Sequence, residues 1–286
     1  MAAKKKPGNN KGTLTSRLAA WRVWVQTAFA TIWLWPFARL HTMCSPVFHC
    51  HACPLATFAC PIGVIAHFSA LHVFPFITLG VIVVFGALFG GFMCGWVCPF
   101  GFLQDLFAKI PTPKLTLPAW SGYMRYVVLV VFVLIGPYLF AEKPVVTLGG
   151  EEIPLFICRV CPAGALEGAA PNVAAAMATD TQPIPWPSTL KIVILGLFLI
   201  AVFFLRRPWC TLFCPLGAIY GLFNYVSFFL LRFHNNKCID CKNCRSLCQY
   251  GGRTDVRVHS TSCNRCLAGE KCRAVTLGTA LDRVDS

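Results

Sequence analysis

Seventeen of the 286 residues are cysteine, and their spacing, more than their number, defines the chemistry open to the chain. Residues 238–248 read CIDCKNCRSLC, a C-x2-C-x2-C-x3-C run. Three thiolates at that pitch suit three corners of a [4Fe–4S] cube, and the fourth cysteine of such a run serves a neighbouring cluster. A structural zinc site pairs two separated C-x2-C units instead. A shorter set follows at Cys263, Cys266 and Cys272. These seven cysteines fall one short of two four-thiolate clusters. One cluster therefore has another ligand or an open iron, or only one forms. The favoured partition gives Cys238, Cys241, Cys244 and Cys272 to the complete cluster, and Cys248, Cys263 and Cys266 to the incomplete one.

A second pattern, Cys-Pro-x-Gly, recurs four times: CPIGVI at 60–65, CPFGFL at 98–103, CPAGAL at 161–166 and CPLGAI at 214–219. Another cysteine lies just upstream in CGWVCP (94–99), CRVCP (158–162) and CTLFCP (210–215), and CHACP (50–54) precedes the first copy. Proline suits the first position of a helix, where its missing N–H would find no partner anyway. The preceding cysteine then caps the helix, whose partial positive charge favours a thiolate or a thiolate-bound cluster. The glycine lets another group approach the backbone. Each copy thus presents one or two sulfurs at the start of a helix.

The elements that position these units are read from composition. The chain is 56% hydrophobic and 13% charged, with a mean hydropathy of +0.63, whereas soluble domains carry roughly 25% charged residues. No Lys, Arg, Asp or Glu occurs between Arg39 and Asp105. Apolar runs at about 22–40, 75–93, 123–141 and 188–205 are each near the length needed to cross a hydrocarbon core of about 30 Å. Arg125 and Lys191 sit near the ends of two of them, where long side chains reach the headgroups. Trp24, Trp33 and Trp35 suit the interface of the first.

The expected fold class is an all-α integral membrane protein. A four-helix transmembrane bundle of two similar halves is followed by a small C-terminal ferredoxin-like iron–sulfur domain. The expected organisation is a basic cytoplasmic segment at 1–21, a transmembrane domain at 22–235 with an interfacial helix at about 216–232, and a ferredoxin-like domain at 236–286. Six Lys and Arg precede or open the first helix and twelve follow from Arg206 onward. Such residues favour the cytoplasmic side. The expected location is therefore the inner membrane, multi-pass, with both termini cytoplasmic. The net charge of +14 reflects topology, and no nucleic-acid partner is expected.

This topology sorts the repeats. Cys94, Cys98, Cys210 and Cys214 share the cytoplasmic face and suit a membrane-embedded [4Fe–4S] cluster, with redox-active thiol pairs as the alternative. Cys53, Cys60, Cys158 and Cys161 share the outer face, with Cys50 as substitute for Cys53 and Cys44 nearby. There a cluster competes with disulfides, which persist in oxidising compartments. His49 and His51 flank Cys50 and are weaker candidates for a copper or zinc site. No CxxCH occurs, so covalent c-type haem is not indicated.

Helix-end CxxxCP motifs followed by a ferredoxin tail resemble the membrane-bound polyferredoxins of the NapH/NosR type. The matching residues are CGWVCP, CTLFCP and the cysteines from 238 to 272, and the resemblance covers most of the chain from about residue 75. It implies a quinol dehydrogenase component that passes electrons to a periplasmic partner. Cys94, Cys98, Cys210 and Cys214 match the family's cytoplasmic-side motifs. The outer cysteines and the short second tail motif go beyond its two-motif pattern.

The expected function is membrane-bound iron–sulfur electron transfer between the quinone pool or a ferredoxin-like cytoplasmic donor and a partner redox subunit, extending across the membrane if the outer site also holds a cluster. Arg39, Arg125 and Glu167 are candidate partners of a quinone headgroup, although anchoring at the interface is the simpler role. The competing reading is a membrane metal-handling or assembly factor that reduces or delivers a metal to a partner complex. A count of reducible clusters above two favours the relay.

Overall fold

A computed structural model describes residues 14–33, 44–48, 50, 60–113, 115, 119–140, 144–148, 151–154, 156–179, 186–234, 236, 263, 265–267 and 275–280. Helix α1 (Leu14–Trp33) is followed by α2 (Pro61–Ala70) and α3 (Phe76–Phe89). A widened turn, Met93–Val97, leads into α4 (Pro99–Ala108), and then comes α5 (Trp120–Phe140). Strands β1 (Pro144–Leu148) and β2 (Glu151–Pro154) form an antiparallel hairpin. The helical turn Ile157–Val160 and the wide turn Gly164–Ala169 precede α6 (Ala170–Ala178). Helices α7 (Thr189–Phe204), α8 (Pro208–Leu212) and α9 (Pro215–Phe223) come next, then β3 (Phe229–Phe233) and β4 (Val275–Thr279).

The repeat shapes the helix starts as its sequence suggests. Helices α2, α4 and α9 each begin with a proline, behind Cys60, Cys98 and Cys214. At α7, Ser188 accepts a hydrogen bond from the Lys191 N–H at 3.4 Å. Gly90 ends α3 at a φ of +52°, where a Cβ would lie 3.0 Å from Asn224 Oδ1. Gly86 meets α9 so closely that a Cβ would stand 2.6 Å from the Phe223 ring.

One core joins these elements. Ile62, Phe100, Val133, Ile157, Val202 and Leu216 are all buried in it, and Cys60, Cys98, Cys161 and Cys214 belong to the same cluster. Each such aliphatic or aromatic side chain stabilises the fold by about 1.5–3 kcal/mol. A satellite cluster of Leu231, Leu267 and Val275 packs with Phe92, Trp96 and Cys263. It is closed by the antiparallel pairing of β3 with β4, in register from Phe229 with Thr279 to Phe233 with Val275.

This is not the expected four-helix transmembrane bundle. Helices do occur in the four apolar runs, but α3 and α7 have 14 and 16 residues, about 21 and 24 Å at 1.5 Å per residue, against a core of about 30 Å. Pro75 and Gly90 bound the first of these helices, and Ser188 and Leu205 bound the second. Helix α1 has 20 residues but is not apolar enough, and its Arg22 and Gln26 turn inward to polar partners. Among the described residues, α5 alone is long and apolar enough to cross a membrane. The multi-pass topology and the placement of both termini drawn from the bundle lose their basis. Nor is the fold all-α, since two antiparallel strand pairs are present. The apolar segment read as an interfacial helix divides into α9 and β3, because the helix stops at Phe223.

Candidate metal centre

The Cys-Pro-x-Gly units share one local geometry. Cys60, Cys98, Cys161 and Cys214 adopt extended backbones with φ/ψ of −63/123°, −70/119°, −78/119° and −69/112°. The Gly101 and Gly217 amides each donate to the sulfur of the capping cysteine, Cys98 and Cys214, at 3.4 Å. The amides of Gly63 and Gly164 take the corresponding place beside Cys60 and Cys161. The glycine is needed for approach: a Cβ on Gly101 would stand 3.0 Å from the Cys94 carbonyl oxygen, and one on Gly217 3.3 Å from that of Cys210.

Cys94, Cys98, Cys210 and Cys214 line one pocket with Phe48, Met93 and Tyr220. The Cys98 thiol donates to the Phe48 carbonyl at 3.5 Å, the Gln104 amide donates to Cys210 Sγ at 3.1 Å, and the Tyr220 hydroxyl donates to the Pro46 carbonyl at 2.6 Å. Among the described residues, no three His, Cys, Asp or Glu side chains are close enough to hold a single metal ion. Four thiols lining one pocket can supply the four thiolate corners of a multi-iron cluster. The residues present therefore fit a [4Fe–4S] group. None of the eleven described cysteines is joined in a disulfide.

A charged network backs this pocket. Arg207 is fully buried. It donates to Asp105 Oδ1 and Oδ2 at 2.7 and 2.5 Å and to the Cys94 carbonyl at 2.9 Å. Arg22 joins Asp105 at 2.5 Å and the Gly95 carbonyl at 3.0 Å, and Gln26 donates to the same two acceptors. Burial alone would raise the Asp105 pKa, but Arg207, and then Arg22 and Gln26, hold it below the usual carboxylate range. Arg125 is also buried, beside the Tyr126 ring and within electrostatic reach of Cys94 and Cys210. Two arginines sharing one aspartate, with a third nearby, leave the surroundings cationic, as an anionic thiolate-bound cluster requires in an apolar interior. Burial pushes the Cys94, Cys98, Cys210 and Cys214 thiols up, Cys98 to about 12. Without iron they are neutral thiols.

The other cysteines form a second set. Cys60 lies within electrostatic reach of Cys158 and Cys161, and Cys161 of Cys50. The Cys50 N–H donates to Glu167 Oε2 at 2.8 Å. Burial lifts the Glu167 pKa to about 7, opposed by that amide. Arg125 is thus buried beside the first cysteine set, and the half-buried Glu167 stands beside the second. Cys44 lies beside Thr78 and within electrostatic reach of Tyr220, its thiol directed to the Ser45 carbonyl at 3.7 Å.

Of the tail, Cys263 and Cys266 are described. The Asn224 amide donates to the Cys263 carbonyl at 2.8 Å and accepts from the Gly91 N–H at 2.9 Å. Arg265 donates to the carbonyls of Asn224, Phe89 and Phe229, and its own carbonyl accepts from the Trp96 ring N–H at 3.1 Å. This part of the tail therefore sits on the turn that carries Cys94. Cys238, Cys241, Cys244, Cys248 and Cys272 lie outside the described residues, as do Cys53, His49, His51 and Arg39.

Sequence reasoning missed Asp105, Arg207, Gln104 and Asn224. Two signals point to the first two: Asp105 ends a long chargeless stretch seven residues after Cys98, and Arg207 stands three before Cys210.

A family model described as a 4Fe-4S binding domain matches residues 71–118 and 187–235, which contain the Cys94/Cys98 and Cys210/Cys214 motifs. The uncharacterized protein MJ0750 of Methanocaldococcus jannaschii is 31% identical over 66% of this chain and 71% of its own length. The putative electron transport protein YccM of Escherichia coli is 23% identical over 69% of this chain and 53% of its own. The regulatory protein NosR of Stutzerimonas stutzeri is 24% identical over 62% of this chain and 22% of its own. No solved structure matches the chain.

Proposed function

We propose that this chain, which belongs to the NosR/NapH-type family of 4Fe-4S-binding electron-transfer proteins, is a membrane-associated relay between a quinone or soluble donor and a partner redox protein. The observation that carries this reading is the single pocket lined by Cys94, Cys98, Cys210 and Cys214. A [4Fe–4S] cluster held there supplies one-electron transfer without bond making or proton bookkeeping. The protein's part is to exclude water and to supply soft ligands on rigid helix starts. It also compensates charge through Arg207, Arg22 and Arg125.

Membrane association is supported by α5 and by the apolar side chains that α3, α5 and α7 leave exposed, among them Ile77, Val84, Val130, Leu134, Leu197 and Ile200. Extended apolar surface of this kind marks contact with lipid or with a partner. The docking of Cys263 and Arg265 against the Cys94 turn supports a role for the tail as the entry or exit for electrons. In this reading Cys238, Cys241, Cys244 and Cys272 hold a complete tail cluster, and Cys248, Cys263 and Cys266 an incomplete one. The test is anaerobic addition of a quinol to membranes containing the chain. A reduced-cluster EPR signal supports the quinone branch. A signal that appears only with a low-potential soluble donor refutes that branch and leaves the donor branch standing.

A further inference from the structure

We propose that Cys50, Cys60, Cys158 and Cys161 are the ligands of a second buried iron–sulfur cluster, set directly beside the first. The inference rests on reading the chain as an iron–sulfur protein, but it concerns cysteines outside both stretches matched by the 4Fe-4S binding domain.

Three observations carry it. First, the backbone geometry of the first site is repeated. Cys60 and Cys161 adopt the same extended conformation as Cys98 and Cys214, each immediately before a proline. Second, the approach at the glycine is repeated. A Cβ on Gly164 would lie 3.5 Å from the Cys158 carbonyl oxygen and 3.4 Å from the Lys191 ammonium. At the first site, a Cβ on Gly101 would lie 3.0 Å from the Cys94 carbonyl oxygen and 3.4 Å from the Arg207 guanidinium. Lys191 thus takes the place of Arg207, a cation beside an assembly of sulfurs. Third, the four cysteines are near one another: Cys60 lies within electrostatic reach of Cys158 and Cys161, and Cys161 of Cys158 and Cys50. The Cys50 backbone is held there by Glu167.

Of the two cysteines named for the fourth place, the set takes Cys50, and Cys53 lies outside the described residues. The two sets are also close to one another along the chain. The Phe48 carbonyl receives the Cys98 thiol at 3.5 Å, and Cys50 is two residues along the chain, no more than about 7 Å away along the backbone. The segment 48–50 therefore links both sets.

The test uses the full chain, prepared anaerobically. Cys60→Ser with Cys161→Ser is predicted to lose about four irons and four acid-labile sulfides per chain relative to the unaltered protein. Its reduced EPR spectrum should lose the broadening that comes from two neighbouring paramagnets. Unchanged iron, sulfide and line shape would overturn the proposal, as would recovery of Cys60, Cys158 or Cys161 in a disulfide from anaerobic protein. Cys98→Ser with Cys214→Ser reports separately on the first site, so failure of one assignment is distinguishable from failure of the other. Should the first double variant not accumulate, Cys50→Ser replaces a half-buried residue at a chain link. A loss of iron or a changed spectrum supports the proposal, and an unchanged count and spectrum overturns it.

Discussion

Arg207 donates a hydrogen bond to the carbonyl oxygen of Cys94 at 2.9 Å while its other arms grip Asp105. A fully buried guanidinium thus ties the first cysteine of one CxxxCP motif to the segment that opens the other, since Cys210 follows Arg207 by three residues. Its backbone takes the left-handed conformation at φ +50° to do so. Metal-site geometry and charge compensation are therefore the same construction.

Removing one partner of this group leaves a buried charge uncompensated, which costs about 3–5 kcal/mol. Asp105→Asn is predicted to lower thermal stability by that order and to speed iron loss. Arg207→Lys is predicted to lower stability and speed iron loss as well, because lysine cannot bridge Asp105 and the Cys94 carbonyl together. Thermal unfolding with iron release as the second readout checks both.

The same group sets an acid limit. The Asp105 carboxyl has a folded-state pKa below its unfolded value of about 3.9. Its contribution is then fully present above about pH 5 and is lost as pH falls through the folded pKa. Stability measured from pH 7 downward should fall more steeply in the unaltered protein than in Asp105→Asn. Parallel curves would contradict this.

At the glycines, the tighter approach should be the less tolerant. Gly101→Ala places a Cβ 3.0 Å from the Cys94 carbonyl oxygen, and Gly217→Ala places one 3.3 Å from that of Cys210. Overpacking of this kind costs about 1–3 kcal/mol. Gly101→Ala should retain less iron than Gly217→Ala when both are purified side by side.

Much of this site was legible in the sequence because Cys-Pro-x-Gly states its own local geometry: proline starts the helix, the cysteine caps it and the glycine admits a carbonyl. The four cysteines of the first pocket follow from that repeat. The bundle did not follow, because an apolar run records burial without saying whether lipid or protein covers it. Gly90 ends a helix inside a run that looks continuous, and the run at 188–205 gives a helix of only 16 residues. Asp105 and Arg207 were hidden for a related reason. Each is an ordinary charged residue in sequence, and only their meeting across 102 positions gives them a role.

Asn224 is the clamp of the tail. It is buried and hydrogen-bonded to both Gly91 and Cys263. Asn224→Ala removes the acceptor of the buried Gly91 N–H, at about 1–3 kcal/mol, and the donor to the Cys263 carbonyl. Limited proteolysis should then cut the chain after β3 faster, with the iron of the Cys94/Cys98/Cys210/Cys214 pocket retained. Unchanged cleavage would contradict the clamp.

The most direct test of the central claim is iron, acid-labile sulfide and the dithionite-reduced EPR spectrum of the anaerobic full chain, compared with Cys98→Ser, Cys214→Ser. The pocket assignment predicts a loss of about four irons and four sulfides together with one reducible signal. A variant with the iron, sulfide and spectrum of the unaltered chain would contradict it.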